Sequence, residues 1–310
     1  MTPSVQGRIV AVDEREIINM VQRLMGPIPA SVVVPIGDDC AVYRPAGAKE
    51  DLVFTTDMMH EDVHFQMSTH KAEDVGWKAM ARGLSDIAAM GAEPRFALLS
   101  LALTCYTDEK WIAGFYSGLL AAGVPVIGGD LAKAAKMSCD VIVCGGVPHG
   151  KALLRSTARA GDGIYVSGLL GGSAAGLRKK RGKAWNRHLR PEPRLRLGSF
   201  LRKKRLANSC MDISDGISAD LWRIARASGV AAHLDGTLPL FAGATINEAL
   251  HGGEDYELLF TAPKRAQVPE EFEGIRLTRV GTIGPETAPM VTWKGSKLEP
   301  LGWDHFVEER

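Results

Sequence analysis

The stretch EDVGWKAMARGLSDIAAMGAEPRFALLSLAL, residues 73–103, joins a helical pattern directly to a strand pattern. The helical part ends at Gly91 and Pro94, the two residue types that most often terminate helices. The nearly unbroken apolar run that follows, residues 95–103, favours a long buried strand. A helix that leads straight into a buried strand indicates a protein in which helices cover sheets.

Helical and strand patterns continue on both sides of this stretch. Residues 13–27 favour a first helix, with Asp13 as its cap and Gly26-Pro27 as its end. Residues 107–124 favour another helix, capped near Thr107 or Asp108. Strands are expected at residues 32–36, 51–56, 124–130, 139–147 and 163–168.

The second half repeats this mixture. It contains a basic helical segment and a helix at residues 217–229, and strands are expected at 230–235, 256–261, 276–283 and 290–293. Helices and strands mingle without strict alternation, which predicts an α/β or α+β fold with mixed sheets. Gly and Pro residues around residue 150 indicate a boundary, so we expect two domains, 1–148 and 149–310.

Composition is ordinary for a globular protein, with 310 residues, 45% hydrophobic and 24% charged. No apolar run approaches the roughly 18 residues of a membrane span, and no leader-like segment opens the chain, so a cytoplasmic location is expected. Cysteines number five, and none stands in a C-x-x-C pair. They indicate free thiols in a reducing compartment rather than a disulfide or metal framework.

Charge is unevenly distributed along the chain. The net charge is only +1, yet residues 178–205 carry thirteen Lys and Arg against one acid, Glu192. The remainder is therefore strongly acidic, which fits a protein that collects metal ions and meets an anionic ligand. The basic segment could bind nucleic acid, but Trp185 is its only aromatic residue, which favours solvated helix faces instead.

Carboxylates recur at the edges of apolar runs, beside Gly, Ser or Thr. Such residues are Asp38, Asp39, Asp57, Asp86, Asp130, Asp212, Asp215, Glu254 and Asp255. Any one of them is explained by turn chemistry. Brought together they would repel one another unless cations met them, and Mg²⁺ prefers a few carboxylates together with substrate phosphates. The set indicates a magnesium-bridged nucleotide site.

Two segments meet the requirements of a known functional motif only in part, one a phosphate-binding loop and the other a zinc-protease motif. The segment GGSAAGLRKK has glycines at 171 and 176 but Leu177-Arg178 where a phosphate-binding loop needs Lys-Ser/Thr. The segment HEDVH, residues 60–64, satisfies H-E-x-x-H and keeps a zinc protease as a distant alternative. That chemistry requires both histidines on one helix face, whereas here they follow a strand.

Several longer motifs occur in a fixed order along the chain: GDDCAVY, TTD before VHF, LSDIAAMGAEP, GGD, LLRSTARAGD, MDISDGISADL, GGEDYELLF and GWDHF. Together they resemble the thiamine-monophosphate kinases, of the superfamily that includes aminoimidazole ribonucleotide synthetase. The resemblance implies a two-domain fold whose N-terminal domain forms the dimer sheet, with a C-terminal α/β domain. It also implies a homodimer, ATP as co-substrate and several Mg²⁺ ions.

The resemblance carries over to individual residues. The implied metal ligands are Asp39, Thr55, Thr56, Asp57, Asp86, Asp130, Asp212 and Asp215. The resemblance thus favours Asp39 as the ligand of the adjacent pair, with Asp38 as a turn residue. The implied ATP contacts are Gly129, Asp130, Arg155 and Ser214. The thiamine phosphate would meet His64, Glu254 and Trp303. The residues expected to act in catalysis are Asp57, Asp130 and Arg155.

The implied reaction is direct in-line transfer of the γ-phosphoryl group of ATP to the phosphate of thiamine monophosphate, which gives thiamine diphosphate. One departure stands out: Leu131-Ala132-Lys133 replaces the Thr-Thr-Arg that usually follows Gly-Gly-Asp. A divergent paralogue that binds ATP but uses another acceptor, or is inactive, therefore remains an alternative.

Overall fold

A computed structural model describes residues 14–285 and 288–303 of the chain. The expected cap Asp13 and the end of the GWDHF motif lie outside these residues. The first half contains helices α1 (Glu14–Leu24), α2 (Ala72–Ala89) and α3 (Glu109–Leu120), and strands β1 (Val32–Val34), β2 (Ala41–Tyr43), β3 (Glu50–His60), β4 (Glu93–Leu103), β5 (Val126–Lys133) and β6 (Ser138–Pro148).

These six strands form one sheet in the order β1-β2-β3-β6-β4-β5. All neighbours are antiparallel except β4 and β5, which run parallel. Helix α2 packs on one face of the sheet and α3 packs on α2. The two helices approach closely because Gly76 and Gly118 lie at their contact: a Cβ on either residue would lie 1.9 Å from a backbone oxygen of the other helix.

The second half begins with a 3₁₀ turn (Arg155–Thr157) and builds a second sheet. Its helices are α4 (Gly172–Lys179), α5 (Gly182–Leu189), α6 (Leu195–Lys203), α7 (Ile217–Ser228) and α8 (Ile246–His251). Its strands are β7 (Gly163–Ser167), β8 (Ser209–Asp212), β9 (Ala231–Leu234), β10 (Leu258–Ala262), β11 (Glu271–Phe272), β12 (Ile275–Ile283), β13 (Met290–Trp293) and β14 (Ser296–Lys297). The sheet order is β14-β13-β9-β12-β7-β10-β8, with β11 paired to β12.

The mixed α/β fold expected from the sequence is confirmed, and most elements lie where the patterns predict. Strand β8 and helix α8 were not expected, since each is only four to six residues long and is flanked by turn residues. Strand β3 runs to His60, so the H-E-x-x-H segment spans a strand end and a turn rather than a helix. Among the described residues, no helix is long and apolar enough to cross a membrane.

Candidate active site

Helix α2 carries a stripe of polar side chains toward the second half of the chain. Lys78, Arg82 and Asp86 follow one another at intervals of four residues, and Ser85 lies beside the last of them. Residues four apart share one helix face. Most of this helix is buried, so the stripe faces protein partners and a cavity rather than open water.

Three carboxylates meet at the C-terminal end of this stripe, around Asp86. Asp39, Asp86 and Asp212 each offer an oxygen within 4.8 Å of the others. Thr55 Oγ1 donates a hydrogen bond to Asp86, and Ser85 Oγ donates one to Asp212 at 2.6 Å. Burial, and then the neighbouring carboxylates, raise the pKa values of Asp86 and Asp212 well above their ordinary value. Close, desolvated oxygen ligands of this kind suit a hard divalent cation.

The adjacent aspartates Asp38 and Asp39 have different partners. Asp39 accepts hydrogen bonds from the Arg155 guanidinium, 2.7 Å from Nη2 and 3.2 Å from Nε. Asp38 accepts from the backbone N–H of the adjacent Asp39 and from that of Arg155, 117 residues further along the chain, so it ties the two halves together. Burial, and then the charge of Asp39, raise the pKa of Asp38 to about 7.

A cavity of about 610 Å³ opens beside the three carboxylates. It extends from Asp86 and Asp212 to residues of both halves of the chain. The expected site residues in its wall, besides those two acids, are Asp57, His64, Ser214, Asp215, Glu254 and Trp303. The structure therefore brings most of the expected metal and acceptor residues around one space.

Thr56 and Asp130 lie on the opposite face of the first sheet. Along β3, Thr55 and Asp57 point toward α2, so Thr56 points away from it. Asp130 pairs with Ser100, which in turn pairs with Asp140, and Thr56 Oγ1 donates to Asp140 at 2.6 Å. Paired residues project from the same face, so Asp130 belongs with Thr56. Gly129 lies beside it, with its Cα hydrogens against the β4 backbone. The role of these residues stays a prediction.

Glu254 reaches the cavity from the other half of the chain in a left-handed conformation, with φ at +64°. Its carboxylate lies 2.8 Å from Lys78 Nζ and 3.3 Å from His188 Nδ1. Burial opposes its ionisation, but Lys78, His188 and Arg82 outweigh that effect and lower the pKa of Glu254 to about 2. A non-glycine residue held with positive φ at a charged cavity indicates a functional position.

Asp255 occupies the helix terminus that a phosphate-binding loop would offer. Its carboxylate accepts hydrogen bonds from the backbone N–H groups of Gly171 and Ser173 at the start of α4. Burial raises the pKa of Asp255 to about 6. Since a protein carboxylate fills this terminus, a nucleotide phosphate has to be bound elsewhere, as the failed loop motif predicts.

The sequence did not indicate several residues at or beside the cavity. Arg82 lies in the cavity wall and Lys78 is buried one turn earlier on α2, and their spacing of four on a largely apolar helix was visible in the sequence. An aromatic group formed by His70, Trp185 and His188 was also missed: Trp185 and His188 stack at 5.1 Å, and His70 meets the Trp185 ring edge-on at 5.1 Å. No local pattern joins these three rings.

The basic segment is mostly neutralised by the acidic body. Seven of its cations form ion pairs with acids, namely Arg178, Arg187, Arg190, Arg194, Arg196, Arg202 and Lys203. Arg187 and Arg194 both hold the buried carboxylate of Glu257, at 2.5 Å each. Ion pairs therefore account for seven of the thirteen cations of the segment. That the segment does not bind nucleic acid stays a prediction.

Two family models match the chain: AIR synthase related protein, N-terminal domain, over residues 37–150, and AIR synthase related protein, C-terminal domain, over residues 159–294. The chain therefore belongs to the AIR synthase related proteins. The boundary expected at residues 148 and 149 stays a prediction.

Within that family the resemblance to thiamine-monophosphate kinases is confirmed. The chain is 36% identical to the thiamine-monophosphate kinase of Aquifex aeolicus over 296 residues, which covers 87% of this chain and 92% of that protein. It is 36% identical to that of Escherichia coli K12 over 307 residues, covering 89% and 93%. The solved structure titled "AaThiL complexed with AMPPCP and TMP" matches with a TM-score of 0.85 at 33% identity, covering 98% of this chain and 100% of that chain.

Proposed function

We propose that this protein is a kinase that transfers the γ-phosphoryl group of ATP to thiamine monophosphate and so forms thiamine diphosphate. The proposal rests on one cavity that is lined by Asp86 and Asp212, two members of the carboxylate cluster with Asp39, and also by the expected acceptor contact Glu254. A relative with the same fold binds an ATP analogue together with TMP, and the match spans nearly all of both chains.

The carboxylate cluster fits magnesium, because its donors are oxygens and are largely buried, and because burial and then neighbouring carboxylates raise the pKa values of Asp86 and Asp212. Asp39, Asp86 and Asp212 would hold one ion, and Thr55, Asp57 and Asp215 are proposed as further ligands on the same side of the first sheet. Thr56 and Asp130, on the other face of that sheet, are proposed as ligands of a separate ion. Bound magnesium neutralises phosphate charge and orients the phosphoryl group.

The proposed acceptor contacts, His64, Glu254 and Trp303, all line the cavity. Of the proposed ATP contacts, Ser214 lines the cavity. The others, Gly129, Asp130 and Arg155, lie outside its wall. Arg155 is held by Asp39, so its cation stands at the carboxylate cluster where phosphate charge has to be offset. We assign Asp57, Asp130 and Arg155 to catalysis.

The reaction needs no strong general base. The second pKa of a phosphate monoester is about 6, so the acceptor oxygen is largely ionised near neutral pH. The task of the protein is then to bring two anions together and hold them in line, by charge and position. The cavity, with arginine, lysine and metal-binding carboxylates in its wall, is suited to that task.

A homodimer and a cytoplasmic location belong to the proposal. The sheet face that bears Thr56 and Asp130 also exposes Tyr43 and Met58, with 40% and 51% of their surface accessible. Apolar side chains on an uncovered sheet face favour a second copy as the partner. Sedimentation should give twice the mass of one chain, and a species of one chain would contradict the dimer.

The decisive assay measures thiamine diphosphate formed from ATP, Mg²⁺ and thiamine monophosphate, with and without a chelator. Product that depends on Mg²⁺ supports the proposal. Nucleotide binding without product would favour the divergent paralogue and point to the Leu131-Ala132 departure. The zinc protease alternative is not supported, since the described His60–His64 segment is not helical.

The same assay applies to Asp57→Asn. The side chain lies between Arg82 and the carboxylate cluster and is 21% exposed, so the amide should leave the fold intact. We expect turnover to fall by about 10²-fold or more, because the amide lacks the charge that a metal ligand supplies. Near wild-type turnover in a folded variant would remove Asp57 from the site.

A further inference from the structure

Arg82 is a cavity-wall residue whose hydrogen-bonding capacity is largely unused. Its side chain is 14% exposed, and its Nη2 donates one hydrogen bond, 3.2 Å long, to Asp57 Oδ1. Its Nε and Nη1 are buried and have no hydrogen-bond partner among the described residues. A guanidinium carries five N–H donors, and burying them without acceptors is costly.

Lys78, one turn earlier on the same helix face, is a cation whose partner lies within the protein, and it serves as a comparison for Arg82. It is 1% exposed, and its ammonium group lies 2.7 and 2.8 Å from the two carboxylate oxygens of Glu254. Lys78 is therefore matched within the protein, whereas Arg82 lines the cavity and keeps two buried nitrogens without an acceptor among the described residues. The two residues differ in whether their hydrogen-bond donors have acceptors within the protein.

The residues around Arg82 indicate which anionic group it binds. Arg82 Nη2 donates to Asp57, and Arg82, Asp57 and Glu254 all line the same cavity. Arg82 thus shares this space with a proposed catalytic residue and a proposed acceptor contact. A planar cation in this wall suits the phosphate of an acceptor that has to approach the transferred phosphoryl group.

We propose that Arg82 binds the phosphate group of the acceptor and positions it for attack. This inference rests on the proposed function, because the acceptor is taken to be thiamine monophosphate. Guanidinium–phosphate hydrogen bonds would satisfy the nitrogens that the protein leaves unpaired, and the positive charge would offset the repulsion between the two phosphate-bearing substrates.

The test compares binding of thiamine monophosphate with binding of thiamine, which lacks the phosphate, by calorimetry. Arg82→Lys keeps a charge for Asp57 but loses the planar donors, and Arg82→Met loses both. We expect both variants to bind thiamine monophosphate at least tenfold more weakly than the wild type and to bind thiamine unchanged. The KM for thiamine monophosphate should rise likewise, with the KM for ATP changed less than threefold.

A matched control is Arg44→Lys, which makes the same change in an Arg–Asp pair outside the cavity wall. Arg44 Nε lies 2.8 Å from Asp51. This variant should bind both ligands as the wild type does. Thermal unfolding of all variants shows whether they are folded, and Arg82→Lys retains the test if Arg82→Met does not fold.

The outcomes separate this inference from the proposed function. Folded Arg82 variants that bind thiamine monophosphate like the wild type would overturn it, as would equal losses for thiamine and thiamine monophosphate. A wild type that prefers thiamine monophosphate over thiamine through Arg82, yet forms no diphosphate, would overturn the proposed function and keep the inference. A wild type without that preference would overturn the inference, whatever turnover it shows.

Discussion

Individual ion pairs hold the two halves of the chain around the cavity. Asp39 in the first half meets Arg155 in the second, and Lys78 on α2 meets Glu254. Both pairs join residues more than a hundred positions apart in sequence. These pairs fix the position of the second half against the first, and the second pair holds Glu254 in the cavity wall.

At the residue scale we predict that Lys78→Met destabilises the protein by about 3 kcal/mol. The change leaves the Glu254 carboxylate at the cavity wall without its closest cation, and breaking such a pair from one side costs about 3–5 kcal/mol when the remaining charge is buried. Chemical denaturation measures the loss. The double variant Lys78→Met, Glu254→Gln should recover part of it, since the unpaired charge is then gone. A single variant as stable as the wild type would show that the pair contributes nothing.

Residue types predicted the carboxylates of the site but not the cations beside them. The sequence singled out Asp39, Asp86 and Asp212, and the structure brings these three together. It did not reveal Lys78 or Arg82, because a charged residue on a helix ordinarily faces water. Only the distant partners Glu254 and Asp57 show that this helix face is buried, and no spacing along the chain encodes those contacts.

Among the elements, helix α2 does most to position the site. Its polar face holds Lys78, Arg82 and Asp86, and its other faces pack on the first sheet and on α3. The close approach of α3 depends on Gly76 and Gly118, which leave room for the opposing backbone. The depth of α2 in the fold, and with it the position of the three polar residues, follows from that contact.

At this scale we predict that Gly118→Ala destabilises the protein by about 2–3 kcal/mol. The added methyl group would lie 1.9 Å from the Glu73 carbonyl oxygen, so α2 and α3 have to separate. Urea unfolding gives the loss, and turnover should fall as α2 shifts. Ser117→Ala, at an exposed position of the same helix, is the control and should change stability by less than about 0.5 kcal/mol. Equal stability of the two variants would contradict the packing argument.

Elements also show where prediction from sequence ends. The alternation of β3 separates Thr55 and Asp57 from Thr56, which the sequence could have indicated. Which face meets α2 depends on how the helix packs, and the placement of Asp130 depends on the pairing of β5 with β4. Strand order, and the face of the sheet on which a helix packs, are set by tertiary structure. The expected ligands could therefore be identified by residue type, but the sequence did not show which face of the sheet each one occupies.

For the whole molecule, the concentration of acids predicts a dependence of stability on pH. Burial, the first cause in each case, raises the pKa values of Asp38 and Asp220 to about 7 and those of Asp86 and Asp212 well above their ordinary value. In the unfolded chain these groups ionise near pH 4. From there up to their folded pKa values the folded protein holds protons that the unfolded chain releases, so its stability falls as pH rises.

Histidines act in the opposite direction at lower pH. Burial lowers the pKa values of His70, His188 and His251, so their protonation favours the unfolded chain as pH falls below about 6.5. Between pH 6.5 and 7.5 the four raised carboxyl groups should therefore dominate. With a chelator present, we expect the midpoint of thermal unfolding to be lower at pH 7.5 than at pH 6.5.

Asp212→Asn tests the origin of this slope, because the amide removes one of the repelling charges and one of the raised pKa values. Its midpoint in the chelator should change less between pH 6.5 and 7.5 than that of the wild type. Added Mg²⁺ should flatten the wild-type slope in the same way, since a bound cation favours the ionised carboxylates in the folded protein. A midpoint that rises with pH in the chelated wild type would show that the pKa values of these carboxyl groups are not raised in the folded protein.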